Sequence, residues 1–185
     1  MGDLAFFSLK QFKTDDEAGI WWLSRYKSGT RIYDLQGQPI DLLPWLRRQT
    51  ADQVELSIQL GKTDRLACRL LVIRVPPHVV EKRRRKLKEY ARKQQVPLTA
   101  DLLELAEWTL LLTNLPQELL SIPEALVLVR VRWQIELLFK RWKSLFKIDE
   151  WRSTDIWRIL TELYAKLLGA VIQQWILLTG MNQIS

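Results

Sequence analysis

Val54, Leu56, Ile58 and Leu60 alternate with polar neighbours, and an extended strand with one buried face is what brings four such side chains to the same side. Gly61-Lys62 then signals a turn, and a longer apolar run follows from Leu66 to Val75 with Arg69 and Arg74 set inside it. Gln36-Gly37 marks an earlier turn. Pro76-Pro77 closes the segment, because proline lacks the N–H that would continue a ladder, and leaves His78 at a strand exit. Residues 30–76 therefore read as mostly β.

The texture differs on either side. In residues 1–28, Ser8 is placed to cap a helix through about Ala18, Gly19 to stop it, and Ile20 to Ser24 to form a buried strand. That β-α-β-like rhythm implies a layered sheet. Residues 78–185 read as mostly helical. Val79 to Gln95 holds eight Lys or Arg within Lys82–Lys93, and Asp101 with Glu104 reads as an N-cap and its partner. Trp108 to Thr113 reads as a buried strand closed by Asn114-Leu115-Pro116. One long helix is expected from about Pro123 to Leu145, and a last one after Ser153-Thr154-Asp155, ending near Thr179-Gly180.

Composition narrows the function classes. With 28 basic against 21 acidic residues the net charge is +7, which favours an anionic partner, nucleic acid before membrane surface. The single cysteine, Cys68, and single histidine, His78, cannot build a zinc site or an internal disulfide. The most apolar stretch, Leu163 to Leu178, is interrupted by Lys166 and Gln173-Gln174 and falls short of the ~20 apolar residues of a membrane span. No signal peptide opens the chain, so a cytoplasmic location is expected.

The helix over 123–145 carries the chemistry. It is apolar nearly all round, which predicts burial against neighbours. At about 100° per residue, Glu136 lies roughly 40° and Lys143 roughly 20° around from Arg132, so three charged groups share one stripe. By spacing alone Arg132 and Glu136 are an ordinary i,i+4 pair, worth ~0.2–0.5 kcal/mol on an exposed face. On a buried helix the same residues are a carboxylate between two cations, an arrangement suited to a metal ligand flanked by phosphate contacts.

These residues resemble the signature of DDE-type transposases of bacterial insertion sequences, in particular the insertion-sequence-four family. Its Tyr-x2-Arg-x3-Glu-x6-Lys pattern is met here by Val129-x2-Arg132-x3-Glu136-x6-Lys143, with valine in place of the tyrosine. Trp-Gln-Ile-Glu-Leu-Leu-Phe-Lys around Glu136 is similar to the family wording. Asp3-Leu4-Ala5-Phe6-Phe7 resembles the family's second catalytic Asp, Ser24-Arg25-Tyr26-Lys27 its basic strand end, Trp108 to Asn114 its Trp-containing strand, and Glu162-Leu-Tyr-Ala-Lys166 part of its terminal helix.

The resemblance implies an α/β fold: a partial ribonuclease-H-like core with an inserted mostly β subdomain and a helical C-terminal part. In that division residues 1–29 begin the core, 30–77 form the insert, 78–107 a basic helical connection, and 108–185 hold the Trp strand, the Glu-bearing helix and the C-terminal helix. It implies Asp3 and Glu136 as catalytic and metal-binding carboxylates for Mg²⁺, with Mn²⁺ a substitute. It implies DNA contacts from Arg132, Lys143, Arg25 and Lys27, a base-stacking ring at Trp108, and a backbone clamp at Arg83, Arg84 and Arg85. The bland alternatives are a core tryptophan and a solvated charged helix. The family's first catalytic Asp lies upstream of Asp3, so the chain is expected to be a truncated transposase, inactive alone in DNA cleavage and strand transfer. The alternative is a non-catalytic fragment that binds DNA, full-length transposase or a second copy of itself and inhibits transposition.

Overall fold

The computed structural model describes residues 7–181. In chain order the elements are α1 (Leu9–Glu17), β1 (Leu23–Arg25), β2 (Ile32–Tyr33), β3 (Pro39–Ile40), α2 (Leu42–Arg47), β4 (Gln53–Leu60), β5 (Leu66–Arg74), α3 (Pro77–Gln94), α4 (Ala100–Leu105), β6 (Trp108–Thr113), α5 (Ile122–Phe146) and α6 (Ile156–Met181). The strands form one six-stranded sheet in the order β1-β6-β5-β4-β2-β3, with every neighbouring pair antiparallel. Strands drawn from three of the sequence regions, 1–29, 30–77 and 108–185, share this sheet. The fold is mixed α/β, as expected at that level.

The central strands explain themselves. β5 has Leu70, Leu71 and Val72 fully buried in succession, so both of its faces are covered, which is why its sequence is a continuous apolar run. Side chains of Leu66, Cys68, Leu70 and Val72 join Ile58, Leu60, Trp108 and Leu112 in the main core, which Phe12 of α1 and Leu42 and Leu46 of α2 also enter. Each fully buried leucine contributes about 1.5–3 kcal/mol. Cys68 sits in this core, and its burial, with the Asp16 charge adding, pushes the thiol well above its ordinary range. Since the thiolate is the reactive form, iodoacetamide should leave Cys68 unlabelled in the native chain at neutral pH and label it in urea. Equal labelling rates in the two states would disprove that placement.

Several local expectations hold. Ser8 caps α1, its Oγ accepting from the Gln11 N–H at 3.3 Å, and Gly19 takes φ of 69° just past the helix end. β6 spans the expected residues, and Asp155 caps α6 by accepting from the N–H groups of Trp157 (2.9 Å) and Arg158 (3.0 Å).

Others do not. Ile20 and Trp21 are 52% and 56% exposed, and the strand begins only at Leu23. The cause is Asn114: its Oδ1 accepts from the Trp22 N–H (2.8 Å) and its Nδ2 donates to the Ile20 carbonyl (3.0 Å), so past Thr113 a side chain replaces the ladder partner. Pro76-Pro77 ends one element and begins the next: Pro77 opens α3, where its missing N–H costs nothing, and His78 lies in that helix and not at a strand exit. The cap of α4 is Thr99, whose Oγ1 accepts from the Leu102 N–H at 3.3 Å, and not Asp101. Glu104 instead receives two hydrogen bonds from Arg47, at 2.7 and 2.6 Å, joining α2 to α4.

The chain divides into two compact units after Leu126. In the second, α5 and α6 line a common cavity of about 90 Å³ through Trp142, Phe146 and Ala170. The expected all-round burial of α5 is not found: Val127, Trp133, Ile135 and Phe139 are 53%, 55%, 48% and 50% exposed. Two helices alone can each bury only one face.

Candidate nucleic-acid interface

Arg69 anchors the entry to α5. Its side chain is 11% exposed and donates to both carboxylate oxygens of Glu55 (2.5 and 2.8 Å), the carbonyl of Leu115 (2.6 Å) and that of Leu120 (3.1 Å). The first turn is then set by a reciprocal cap. Glu124 accepts from the Ser121 N–H (2.8 Å) and hydroxyl (2.6 Å), and its own N–H approaches Ser121 Oγ at 3.5 Å. These hydrogen bonds hold the Glu124 carboxyl below its ordinary range.

Along α5, Arg132 donates to Glu136 in an i,i+4 ion pair. Glu136 keeps 47% of its side-chain surface open. Lys143 pairs with Asp149 at 3.4 Å rather than with Glu136. Val129 is buried, and no hydroxyl is offered at the position of the signature tyrosine. Asp3 lies outside the described residues. Among the described residues no three or more Asp, Glu, His or Cys gather into a metal-binding group. Glu136 supplies the hard oxygen that Mg²⁺ prefers, but one carboxylate among the described residues does not make a site for the ion.

The first unit holds a cleft of about 570 Å³ lined by residues from the end of β1, from α3, α4 and the start of β6. Arg25, Arg83 and Lys86 line it, with Tyr26, Tyr90 and Trp108, and no acidic residue does. Arg83 is fixed in the wall: its Nη1 donates to the Trp108 carbonyl (2.8 Å) and its Nη2 to Thr109 Oγ1 (2.8 Å). Burial first, and the Arg25 charge second, lower its pKa. Two guanidiniums thus repel across a half-dry cleft with no carboxylate between them, which is an environment that favours an anion. Burial raises the Tyr26 pKa, and the Tyr26 hydroxyl donates to the Thr30 carbonyl at 2.7 Å.

The remaining residues singled out from the sequence fall into three conditions. Trp108 is 6% exposed within the core, and the Arg74 guanidinium lies 4.5 Å from its ring centroid, so little of the ring is open to a base. Arg84 is engaged inward, donating to the Leu103 carbonyl (3.1 Å) and to Glu107 (2.6 Å). Arg85, Arg25 and Lys27 are exposed, and Arg85 reaches Glu89 only at 4.0 Å. Tyr26 and Tyr90 were not marked as site residues by sequence reasoning. The available signal was spacing: Tyr90 stands four residues beyond Lys86 and seven beyond Arg83, on one side of α3.

The first unit joins a six-stranded sheet to a basic cleft, and α5 carries the Arg132–Glu136 pair. The chain belongs to the transposase DDE domain family, whose model matches residues 1–172. That family is in general metal-dependent. The chain is similar to the transposase for insertion sequence element IS1151 of Clostridium perfringens, at 25% identity over all of this chain and 43% of the relative. It is similar to the transposase for insertion sequence element IS231C of Bacillus thuringiensis subsp. berliner, at 24% identity over 92% of this chain and 39% of the relative. A third relative is the putative transposase InsL for insertion sequence element IS186A of Escherichia coli (strain K12), 32% identical over 78% of this chain and 41% of the relative. The chain therefore spans about two fifths of the length of these curated relatives. No solved structure matches it.

Proposed function

We propose that this chain is the Glu-bearing portion of an insertion-sequence transposase, with DNA as its partner and ends of the element as its substrate. The carrying observation is the Arg132–Glu136 pair on α5, with Lys143 on the same stripe, inside a family match that runs nearly the length of the chain. In this reading Glu136 and Asp3 are the catalytic, metal-binding carboxylates for Mg²⁺ or Mn²⁺, and Arg132 and Lys143 hold phosphates. Residues 1–29 and 108–185 belong to a ribonuclease-H-like core, with 30–77 as an inserted β subdomain and 78–107 as the basic connection. Arg25, Lys27 and the Arg83 cleft engage one DNA strand. With Trp108 covered, any stacking on it requires Arg74 to move aside.

A polypeptide of these 185 residues supplies two of the three carboxylates that the resemblance calls for. The test compares it with a fusion carrying the upstream portion of the IS1151 transposase, on a DNA bearing that element's ends, in Mg²⁺ or Mn²⁺. Products are expected from the fusion alone, and a thermal melt of each preparation confirms folding. Cleavage by the short chain that disappears with Glu136→Ala would overturn its inactivity.

A second reading is favoured by one observation: the anion-favouring cleft is built wholly from residues of the first unit. By itself the chain then binds DNA without cutting it and inhibits intact transposase. Adding it to an active transposase should lower product yield in proportion to its concentration, and an unchanged yield would sink this reading. None of the described helices is long and apolar enough to cross a membrane, and a cytoplasmic, DNA-associated location is part of the proposal.

A further inference from the structure

The basic run on α3 splits into two populations with different work. Arg83 and Arg84 point into the fold and bind carbonyls of the β6 and α4 regions. Lys82, Lys86, Lys88, Arg92 and Lys93 are exposed, and none of them makes an ion pair among the described residues. At about 100° per residue, Lys86 and Lys93 lie within roughly 40° of Lys82, so the three ammonium groups form one stripe. Glu89 is the only acid near that stripe and is answered by Arg85. Like charges at i,i+4, as in Lys82–Lys86 and Lys88–Arg92, destabilise an isolated helix by ~0.2–0.5 kcal/mol each. A fold that sets only Glu89 among them leaves most of that repulsion for an external polyanion to relieve.

We infer that the outward stripe Lys82, Lys86 and Lys93 is a sequence-independent track for the phosphate backbone of duplex DNA, running along α3 and meeting at Lys86 the cleft that Arg83 walls. This rests on the reading of the chain as a DNA-binding part of a transposase. The geometry suits the partner. α3 is 18 residues long, about 27 Å at ~1.5 Å per residue, and one strand of a parallel duplex presents about eight phosphates over that length. Lysine is the right cation for the purpose, because a mobile, hydrated point charge reaches a phosphate without demanding a fixed fork geometry. The exposed stripe is Lys82, Lys86, Glu89 and Lys93, and beside it Tyr90 is the one large hydrophobic of α3 that is exposed, too little apolar surface to anchor a helix in a membrane. Lys86 lines the cleft as well, so track and cleft meet on one helix.

The test uses the 185-residue chain and a fluorescent duplex of random sequence, titrated by anisotropy over a range of salt, with a duplex RNA of equal length as the second arm. Two triple variants remove the same charge: Lys82→Gln, Lys86→Gln, Lys93→Gln on the track, and Lys10→Gln, Lys13→Gln, Lys62→Gln elsewhere on the first unit. The track variant should bind at least tenfold more weakly at low salt, with a log–log salt slope shallower by about 2.7, three phosphates at ~0.9 each. The control variant should keep the wild-type slope, and both should melt within a few degrees of wild type. Equal weakening in both variants overturns the track, as does tighter binding of the RNA duplex. Wild-type binding that the track variant preserves overturns the track and leaves the DNA reading standing. No duplex binding by the wild type at low salt overturns both.

Discussion

Replacing Glu136 by alanine or by glutamine in the fused polypeptide should abolish DNA cleavage, on the order of a thousandfold or more. Removing a single preorganised charge-stabilising group from an active site costs about 10²–10³-fold, and a carboxylate that binds metal cannot be replaced by an amide of the same shape. Arg132→Ala should cost about a hundredfold by the same argument. The competing account treats Arg132 and Glu136 as a surface i,i+4 pair. Such a pair is worth ~0.2–0.5 kcal/mol, so Glu136→Gln would then change the rate by about twofold and leave it within that range under all metal conditions. The two accounts differ by more than two orders of magnitude, and Gln separates them because it keeps the packing and removes the charge. Cleavage by the Gln variant at near wild-type rate would remove Glu136 from the catalytic set. A loss with Gln that excess Mn²⁺ partly restores would support the metal-binding assignment.

The second large effect is on stability, at Arg69. Arg69→Ala should destabilise the first unit by about 3 kcal/mol, the usual magnitude when one member of a buried ion pair is removed and the other is left uncompensated. The guanidinium satisfies both Glu55 oxygens and two carbonyls of the connection running from β6 to α5, so its loss strands four acceptors in a partly buried place. Removing both charges, Arg69→Met with Glu55→Leu, should be much closer to neutral, because no unpaired carboxylate remains. Urea denaturation of the single and double variants measures the difference. A single variant within ~0.5 kcal/mol of wild type would show that Arg69 does not hold this connection. The double variant also isolates a functional consequence: it keeps the sheet while freeing the carbonyls of Leu115 and Leu120, which lie just before the helix that bears Glu136.

Arg69 illustrates what could not be read in advance. Its position in an apolar run was plain, and so was its place on a strand. That its partners are Glu55 and two carbonyls near the start of α5 depends on the register of β4 with β5 and on where the chain turns after β6. Arg83 and Arg84 show the same limit. Within Lys82-Arg-Arg-Arg-Lys86 every residue looks like a candidate for DNA, yet Arg83 and Arg84 also donate inward, to the Trp108 carbonyl and to Glu107, while the unpaired charges lie to either side of them. Charge reversal at Arg83 or Arg84 would therefore disturb the fold before it informed on binding.

The sequence by itself determined the elements and their charged stripes. Alternation placed β4, continuous apolarity placed β5, Ser8 and Asp155 marked helix starts, and the spacing of Arg132 and Glu136 put them on one face. These follow from local geometry, a period of two or of 3.6 and a cap at a fixed offset. Only the tertiary structure decided that Arg25, Arg83 and Lys86 share one cleft, that Glu104 serves Arg47 and not its own helix cap, and that Asn114 ends the β1 ladder. Each of those is a meeting of residues from distant parts of the chain. Periodicity reports which side of an element is apolar or charged, and it carries no information about which element lies opposite.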